Sequence, residues 1–474
     1  MDLDRLFHPR SIAVVGASLS LGEGKLPFYQ ILKFAGYKGP VYPVNPSHQE
    51  ILGEKVYPSL DAVPNAVDLA ICTIPARFAL ETVELAVQKD IPFVHFFTSG
   101  FSEQGDRDLE DSLIRAARKG RTRIVGPNCL GVHCTGSRVT FDPTILQEQP
   151  GTVAFLSQSG GVANNFTRMA TARRIGLNKA VSYGNQIDLR VEDFLEYFAK
   201  DDGIRVIAAY IEDIKDGRAF LEALGRLTRV KPVVVLKGGI TQEGAQAAAS
   251  HTGALAGHHP VWTGLLRQHR CIEVETQEQL VDLVMMAASE KLPLGPRLGF
   301  LAAGGGTSVL FTDLAVRAGL SVPELEKRTQ ESIAGKIPKV NTSVRNPVDL
   351  GAFGFDYRVM THSMEAVDSE RGIDAIVVYL CLDFLLMFRE KDIEKGFQAI
   401  ASKAGELSKP VIVVAGRTAD DNPRIEQSRL LALSVFRGAG LPMYFTLQDA
   451  VYATSRILRW STGRREVSSS SVRG

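Results

Sequence analysis

The chain has 474 residues, room for about three domains of ordinary size. Hydrophobic residues make up 45% and charged residues 23%, which excludes a disordered or fibrous chain. Lys and Arg total 54 against 53 Asp and Glu, so no net field of either sign marks a nucleic-acid or anionic-membrane binder. Five cysteines, scattered and odd in number, exclude a disulfide framework and suit a reducing cytoplasm; Cys129 and Cys134 are too isolated to form a zinc site. No apolar run reaches membrane-spanning length, and the charged start "MDLDRLFHPR" lacks the apolar stretch of a signal peptide. A cytoplasmic protein with no metal site and no membrane or nucleic-acid partner is expected.

In chain order, "SIAVVG", "PVYPVN", "VDLAICTIP", "PFVHFFTSG" and "TRIVGPN" are short apolar runs, with helical patterns such as "ARFALETVELAVQKD" and "DRDLEDSLIRAARKG" between them. This alternation predicts βαβ units and a parallel sheet. A second series runs through "TVAFLSQSGG", "KAVSYG", "RVIAAYIE" and "KPVVVLKGG". "SEKLPLGPR" reads as a linker, and "LGFLAAGGG", "IDAIVVYL", "KPVIVVAG" and "LPMYF" make a third series. The expected organisation is α/β throughout: domains over 1–145, 146–292 and 293–462, then a polar, disordered tail over 463–474.

Three turns and one histidine carry the chemistry. "VVGASLSLGEG" follows the first strand and leads into a helix, a place where backbone amides meet phosphate. It is not the dinucleotide fingerprint: Ala17 and Ser18 follow Gly16, Leu21 stands where the third glycine belongs, and "VYPVNPS" offers no acidic residue for a ribose. A nicotinamide oxidoreductase is therefore disfavoured. "LSQSGGVANNF" and "LAAGGGTSVLF" each place glycines between a strand and a helix. Each helix N-terminus carries roughly half a positive charge, so the pair predicts a phosphoryl group held between two dipoles. "SHTGALAG" places His251 among small residues, in a stretch with no apolar stripe that reads as a mobile loop. Neutral imidazole accepts a phosphoryl group covalently, and a carboxylate is needed to fix its tautomer. Glu212, just past a strand end, is the candidate; its bland alternatives are pairing with Lys215 or capping the helix that begins near Asp216.

Read in order, "SIAVVGAS", "PVYPVNPS", "SGFSE", "GPNCLG", "SQSGG", "YIEDIKDG", "SHTGALAG" and "NPVDL" resemble the α subunits of the ADP-forming (nucleoside-diphosphate-forming) acyl-CoA synthetases, relatives of succinyl-CoA synthetase. The resemblance covers nearly the whole chain. It implies a CoA-binding Rossmann-like domain followed by two flavodoxin-like domains. It places Gly16, Ala17 and Ser18 at the CoA phosphates, and Asn45, Pro46, Ile74 and Pro75 along the adenosine and pantetheine path. Ser99, Gly100 and Phe101 continue that path, and Pro127, Asn128 and Cys129 stand where the thioester ends. Ser159, Gly160 and Gly161 would open the first anion-binding helix, and Gly305, Gly306 and Thr307 the second. His251 becomes the phosphorylated residue and Glu212 its orienting carboxylate, while His258 and His259 read as surface residues.

The implied reaction takes acyl-CoA, phosphate and ADP to acid, CoA and ATP through an acyl phosphate and a phosphohistidine. The resemblance implies that ATP or ADP with Mg sits on an ATP-grasp domain pair, fused or on a separate β subunit, and a β partner in a heterotetramer is expected here; the sequence itself has no GxxxxGK turn followed by Ser or Thr. Two other readings stay open: a non-catalytic CoA or acyl-CoA carrier or regulator, and a CoA-transferring enzyme with Cys129 as nucleophile.

Overall fold

A computed structural model of the chain describes residues 2–19, 26–252, 259–418 and 421–470. The chain divides into two compact units, Met1–Ala172 with Gly176–Leu280, and Arg173–Ile175 with Val281–Gly474.

In the first unit the five apolar runs become β1 (Ile12–Val15), β2 (Val41–Val44), β5 (Leu69–Cys72), β6 (Phe93–Phe96) and β7 (Arg123–Val125). The intervening β3 (Glu50–Ile51) and β4 (Glu54–Lys55) form a separate small hairpin. The sheet runs 2-1-5-6-7 and is parallel throughout. The strands read as unbroken apolar runs because both faces are covered: Ile12 and Val14 join one buried cluster, Ala13 and Val15 another.

The second sheet contains β8 (Gly131–Cys134), β9 (Val153–Ser157), β10 (Leu177–Ser182), β11 (Val206–Ile211), β12 (Val233–Lys237) and β13 (Ile272–Val274), in the order 13-12-11-9-10-8. All its pairings are parallel except β8 with β10. β8 moves the sheet changeover to between Val125 and Gly131, ahead of the edge expected at residue 145. An antiparallel edge strand needs no helical crossover, so it left no mark in the βαβ rhythm. One apolar cluster runs from Leu3 on the first sheet's side to Trp262 on the second's. Residues 185–189 also line the open edge of β7: the amides of Asn185, Ile187 and Leu189 donate to Pro127, Gly126 and Ile124. Asp188 accepts from the Ile124 amide and pairs with Arg123 at 2.8 Å. The two sheets therefore share one core and one hydrogen-bonded seam.

The second unit holds β14 (Leu298–Ala302), β15 (Val348–Asp349), β16 (Ala375–Cys381), β17 (Val411–Gly416) and β18 (Met443–Tyr444), parallel in the order 15-14-16-17-18. The division between units, at Leu280/Val281, precedes the expected edge at 292. The final helix runs Leu447–Ser470, through most of the tail expected to be disordered from 463. Ala450, Val451, Ala453, Ile457 and Trp460 bury its first half. A helix nucleated by such packing extends at little further cost, even into Ser-rich sequence. Among the described residues no helix is long and apolar enough to cross a membrane.

Candidate functional site

The carboxyl ends of the first sheet's strands bring the expected CoA-binding turns together. Gly16 follows β1 at φ +84, a left-handed conformation natural to glycine. A Cβ there would stand 2.9 Å from Thr73 Oγ1 and 3.0 Å from Ile74 Cγ2, so the turn after β1 packs directly on the turn after β5 and leaves no room for a side chain. Thr73 Oγ1 donates to the Gly16 carbonyl at 3.1 Å, and Asn45 Nδ2 donates to the Ala17 carbonyl at 2.9 Å. The amides of Gly16 and Ala17, however, both donate to the Val44 carbonyl. Those two N–H groups are spent on β2, so Gly16 and Ala17 shape the turn rather than offer their amides; residues 20–25 lie outside the described residues.

Pro46, Pro75 and Ser99 are exposed on the same rim, with Asn45, Ile74 and Gly100 half-buried beside them. Phe101 is fully buried, with its ring beside that of Phe96. The Gly100 and Phe101 amides converge on Glu103 Oε1, at 2.5 and 3.2 Å. Residues 127–129, expected at the thioester end, lie against the second sheet, where the Asn185 amide donates to the Pro127 carbonyl. Asn128 has φ +57, and its amide donates to the Thr98 carbonyl at 2.9 Å. Cys129 is 3% exposed, and burial pushes its thiol up to about 12. A thiol held in its protonated form by burial weighs against the reading of Cys129 as a CoA-transferring nucleophile. Sequence reading missed His95 on β6. Its Nε2 lies 3.0 Å from the Cys129 carbonyl, and burial holds it down at about 4, a neutral ring supporting the turn.

In the second sheet, the turn after β9 is held by Ser157 Oγ donating to the Ser159 carbonyl at 2.7 Å. The helix Gly160–Ala172 begins at the expected glycine. Its first amides have no intrahelical acceptors. Gly160 and Gly161 open on a cavity of about 340 Å3 whose walls include Leu26, Ile31, Leu130 and Phe141. Arg168 and Asp142 pair at 2.7 Å on its polar side. The cavity is thus apolar along one wall and anion-attracting along another.

Glu212 lies just past β11, 9% exposed. Neither bland role claims it: Lys215 pairs with Asp213 at 2.9 Å, and Asp216 caps its own helix by accepting from the Ala219 amide. The Glu212 amide donates to Gln158 Oε1, which also accepts from Asp213. Its carbonyl accepts from Lys237 Nζ at 2.7 Å, and its carboxylate takes a hydrogen bond from Tyr210. Gln158, the one residue of "SQSGG" besides Ser157 given no role from the sequence, therefore ties this turn to the turn after β9. The stretch expected to be a loop before His251 is a helix, Gln242–Thr252, and His251 is its penultimate residue. Alanine and glutamine are good helix formers, and without an apolar stripe their pattern gave no period. Gly253–His258, the rest of the motif, lie outside the described residues. His259 stands 3.4 Å from Glu273, half-exposed.

In the second unit, Gly304 (φ +140) precedes the helix Gly305–Arg317. Gly305 and Gly306 are exposed and Thr307 half-buried. The Gly304 amide donates to Asp349 Oδ1 at 2.9 Å, and a Cβ on Gly305 would lie 3.0 Å from Asp349 Oδ2. A carboxylate on β15 thus already faces this N-terminus, where the sequence suggested open amides alone.

Two family models match the first unit, one over each of its sheets. "CoA binding domain" matches residues 10–135 and "Succinyl-CoA ligase like flavodoxin domain" residues 150–287. The chain is 33% identical over 470 residues to the α subunit of ADP-forming acetate–CoA ligase I of Pyrococcus furiosus, covering 97% of this chain and 98% of that one. It is 32% identical to the single-chain ADP-forming acetate–CoA ligase I of Archaeoglobus fulgidus, covering 97% of this chain but only 64% of the relative's length. A solved structure of dinucleotide forming acetyl-coenzyme A synthetase 1 from Ca. Korarchaeum cryptofilum, in complex with phosphate and ADP, matches with a TM-score of 0.86 at 31% identity over 99% of both chains. The chain belongs to the family of ADP-forming acyl-CoA synthetases, along the length of their α subunits.

Proposed function

We propose that the chain is the α subunit of an ADP-forming acyl-CoA synthetase, interconverting acyl-CoA, phosphate and ADP with acid, CoA and ATP. The observation that carries this reading is topological. β11 and β12 are parallel neighbours; Glu212 leaves the carboxyl end of one, and the helix bearing His251 follows the carboxyl end of the other. A rigidly held carboxylate and a histidine-bearing segment thus leave the same end of one sheet, as phosphohistidine chemistry requires.

In this reading CoA enters over Gly16, Asn45 and Ile74, with its thioester at Pro127–Cys129. The residues fit such a ligand, since Asn45, Pro46, Ile74, Pro75 and Ser99 line one exposed to half-buried rim at the carboxyl ends of the strands, where open α/β sheets take ligands. Phosphate and the acyl group occupy the cavity at Gly160 and Gly161. Phosphate attacks the thioester carbonyl, the C–S bond breaks, and acyl phosphate and CoA form. His251 displaces the carboxylate from phosphorus, and the phosphoryl group then passes to ADP. Positioning and charge stabilisation supply most of the rate in such transfers. The nucleotide and its Mg belong to an ATP-grasp chain; relatives carry both arrangements, named α subunits and longer single chains.

The test is to incubate the protein with acetyl-CoA and labelled phosphate and look for a base-stable, acid-labile phosphoprotein. Labelling at His251, abolished in His251→Ala and slowed about 10²–10⁴-fold in Glu212→Gln, is the expected result. Full labelling of His251→Ala would sink the assignment.

A further inference from the structure

Away from these turns, in the first unit, two neighbouring side chains at the N-terminus stand in a line with a cysteine 126 residues further along the chain. Asp4 lies on the short helix Asp4–Phe7, and His8 follows it, with Nδ1 3.0 Å from Asp4 Oδ1. The other ring nitrogen, Nε2, lies 3.4 Å from Cys134 Sγ on β8. Carboxylate, imidazole and thiol are thus coupled end to end, the arrangement that activates a cysteine. The other polar and charged groups facing the line are Ser137 on the turn after β8, Lys179 on β10 and Tyr197, whose hydroxyl donates to Asp4 Oδ1 at 3.4 Å. Lys179 is itself paired to Asp201 at 2.6 Å.

The titration of the pair agrees with the geometry. For Cys134, burial acts to raise the thiol, but the His8 hydrogen bond and charge, with Ser137, outweigh it and hold it below its ordinary value. His8 is raised, chiefly by its bond to Cys134. The other four cysteines all move the opposite way, raised by burial.

We infer that Cys134 is a reactive thiolate, activated by His8 and Asp4, that is oxidised by small hydroperoxides. The size limit follows from burial: Cys134 is only 1% exposed, which excludes a disulfide as large as oxidised glutathione, while the adjoining His8 side chain is 38% exposed and is the side from which the proposal brings a small peroxide. The thiolate sulfur attacks one peroxide oxygen; the S–O bond forms as the O–O bond breaks. Sulfur gives up two electrons, and the leaving hydroxide takes the proton of the His8 imidazolium. The products are Cys134 sulfenic acid, water and neutral His8. None of the turns assigned to CoA or phosphoryl chemistry takes part.

The test treats the full chain with hydrogen peroxide and follows each cysteine by peptide mass spectrometry, with the other four as internal standards. Cys134 is expected to oxidise at least about ten-fold faster than any of them, as a thiolate fraction raised at neutral pH requires. Oxidised glutathione should leave it untouched. His8→Gln should remove the advantage. Because that change could disturb the short helix, Asp4→Asn, at a largely exposed carboxylate, provides a second arm and should slow the reaction several-fold. The difference in thiolate absorbance between the native chain and Cys134→Ser reads ionisation without requiring access, and should titrate below about 8.5. Cys134 oxidising no faster than Cys129, or titrating above that value, would overturn the proposal.

Discussion

At the level of single residues, two buried histidines make a pH prediction whose sign can be worked out. His95 and His133 are both held at about 4, down from the ordinary 6.5, by burial. Between those values the unfolded chain binds protons that the folded chain does not, so their contribution to stability is complete above about pH 6.5 and falls as pH drops toward 4. The loss should reach about 3 kcal/mol for each by about pH 4. Urea unfolding across this range should show it, and His133→Gln should flatten the slope; an unchanged slope in that variant would refute the assignment. Gly16→Ala is a second case. The left-handed backbone and the 2.9 Å approach to Thr73 should together cost about 1–3 kcal/mol, with CoA affinity, read by calorimetry, falling at least about ten-fold. The identity of Gly16 and of the turns was legible in the sequence because glycine and strand-end motifs are local. His95, Gln158 and Asp349 were not, because each acts on a segment at least 34 residues away in the chain.

At the level of elements, legibility followed periodicity. The long apolar runs were readable as strands and the amphipathic stretches as helices; Arg107–Ala117, capped by Asp106, starts where "DRDLEDSL" suggests. β8, β13 and β15 were missed because three or four residues at a sheet edge, or two in β15, carry no period. The Gln242–Thr252 helix was missed because small residues give helix propensity without an apolar face. The wall facing the Gly160–Ala172 helix makes a prediction at this scale. Leu26 and Ile31 line the same cavity as Gly160 and Gly161, so the acyl group of the proposed reaction should meet aliphatic side chains there. Leu26→Ala should shift preference from acetyl-CoA toward longer acyl-CoA substrates, and one or two methylenes are worth about 10–200-fold in kcat/KM. A panel of acyl-CoA thioesters assayed for phosphate-dependent CoA release measures it; a uniform fall across the panel would place the acyl group elsewhere.

At the level of the whole molecule, what the chain can do alone separates from what it can do with a partner. Each of the three sheets has its turn engaged: Gly16 at the first, Gly160 and Glu212 at the second, and Gly304 with Asp349 at the third. None of these is a nucleotide-binding GxxxxGK turn. The single-chain relative from Archaeoglobus fulgidus, of which this chain spans 64%, is correspondingly longer. The half-reactions should therefore divide. Acyl-CoA and phosphate alone should give CoA release and a phosphorylated His251, at no more than one phosphate per chain, if the nucleotide acceptor sits on the ATP-grasp chain proposed above. Adding ADP and Mg should change neither the extent nor the lifetime of the phosphoprotein. Adding an ATP-grasp chain from the same source should discharge it and make ATP with turnover. Quenched-flow labelling with and without the partner reads both stages. ATP formed catalytically by the lone chain would show that one of its own three sheets holds ADP, and the division of labour proposed for the family's α subunit would fail for this protein.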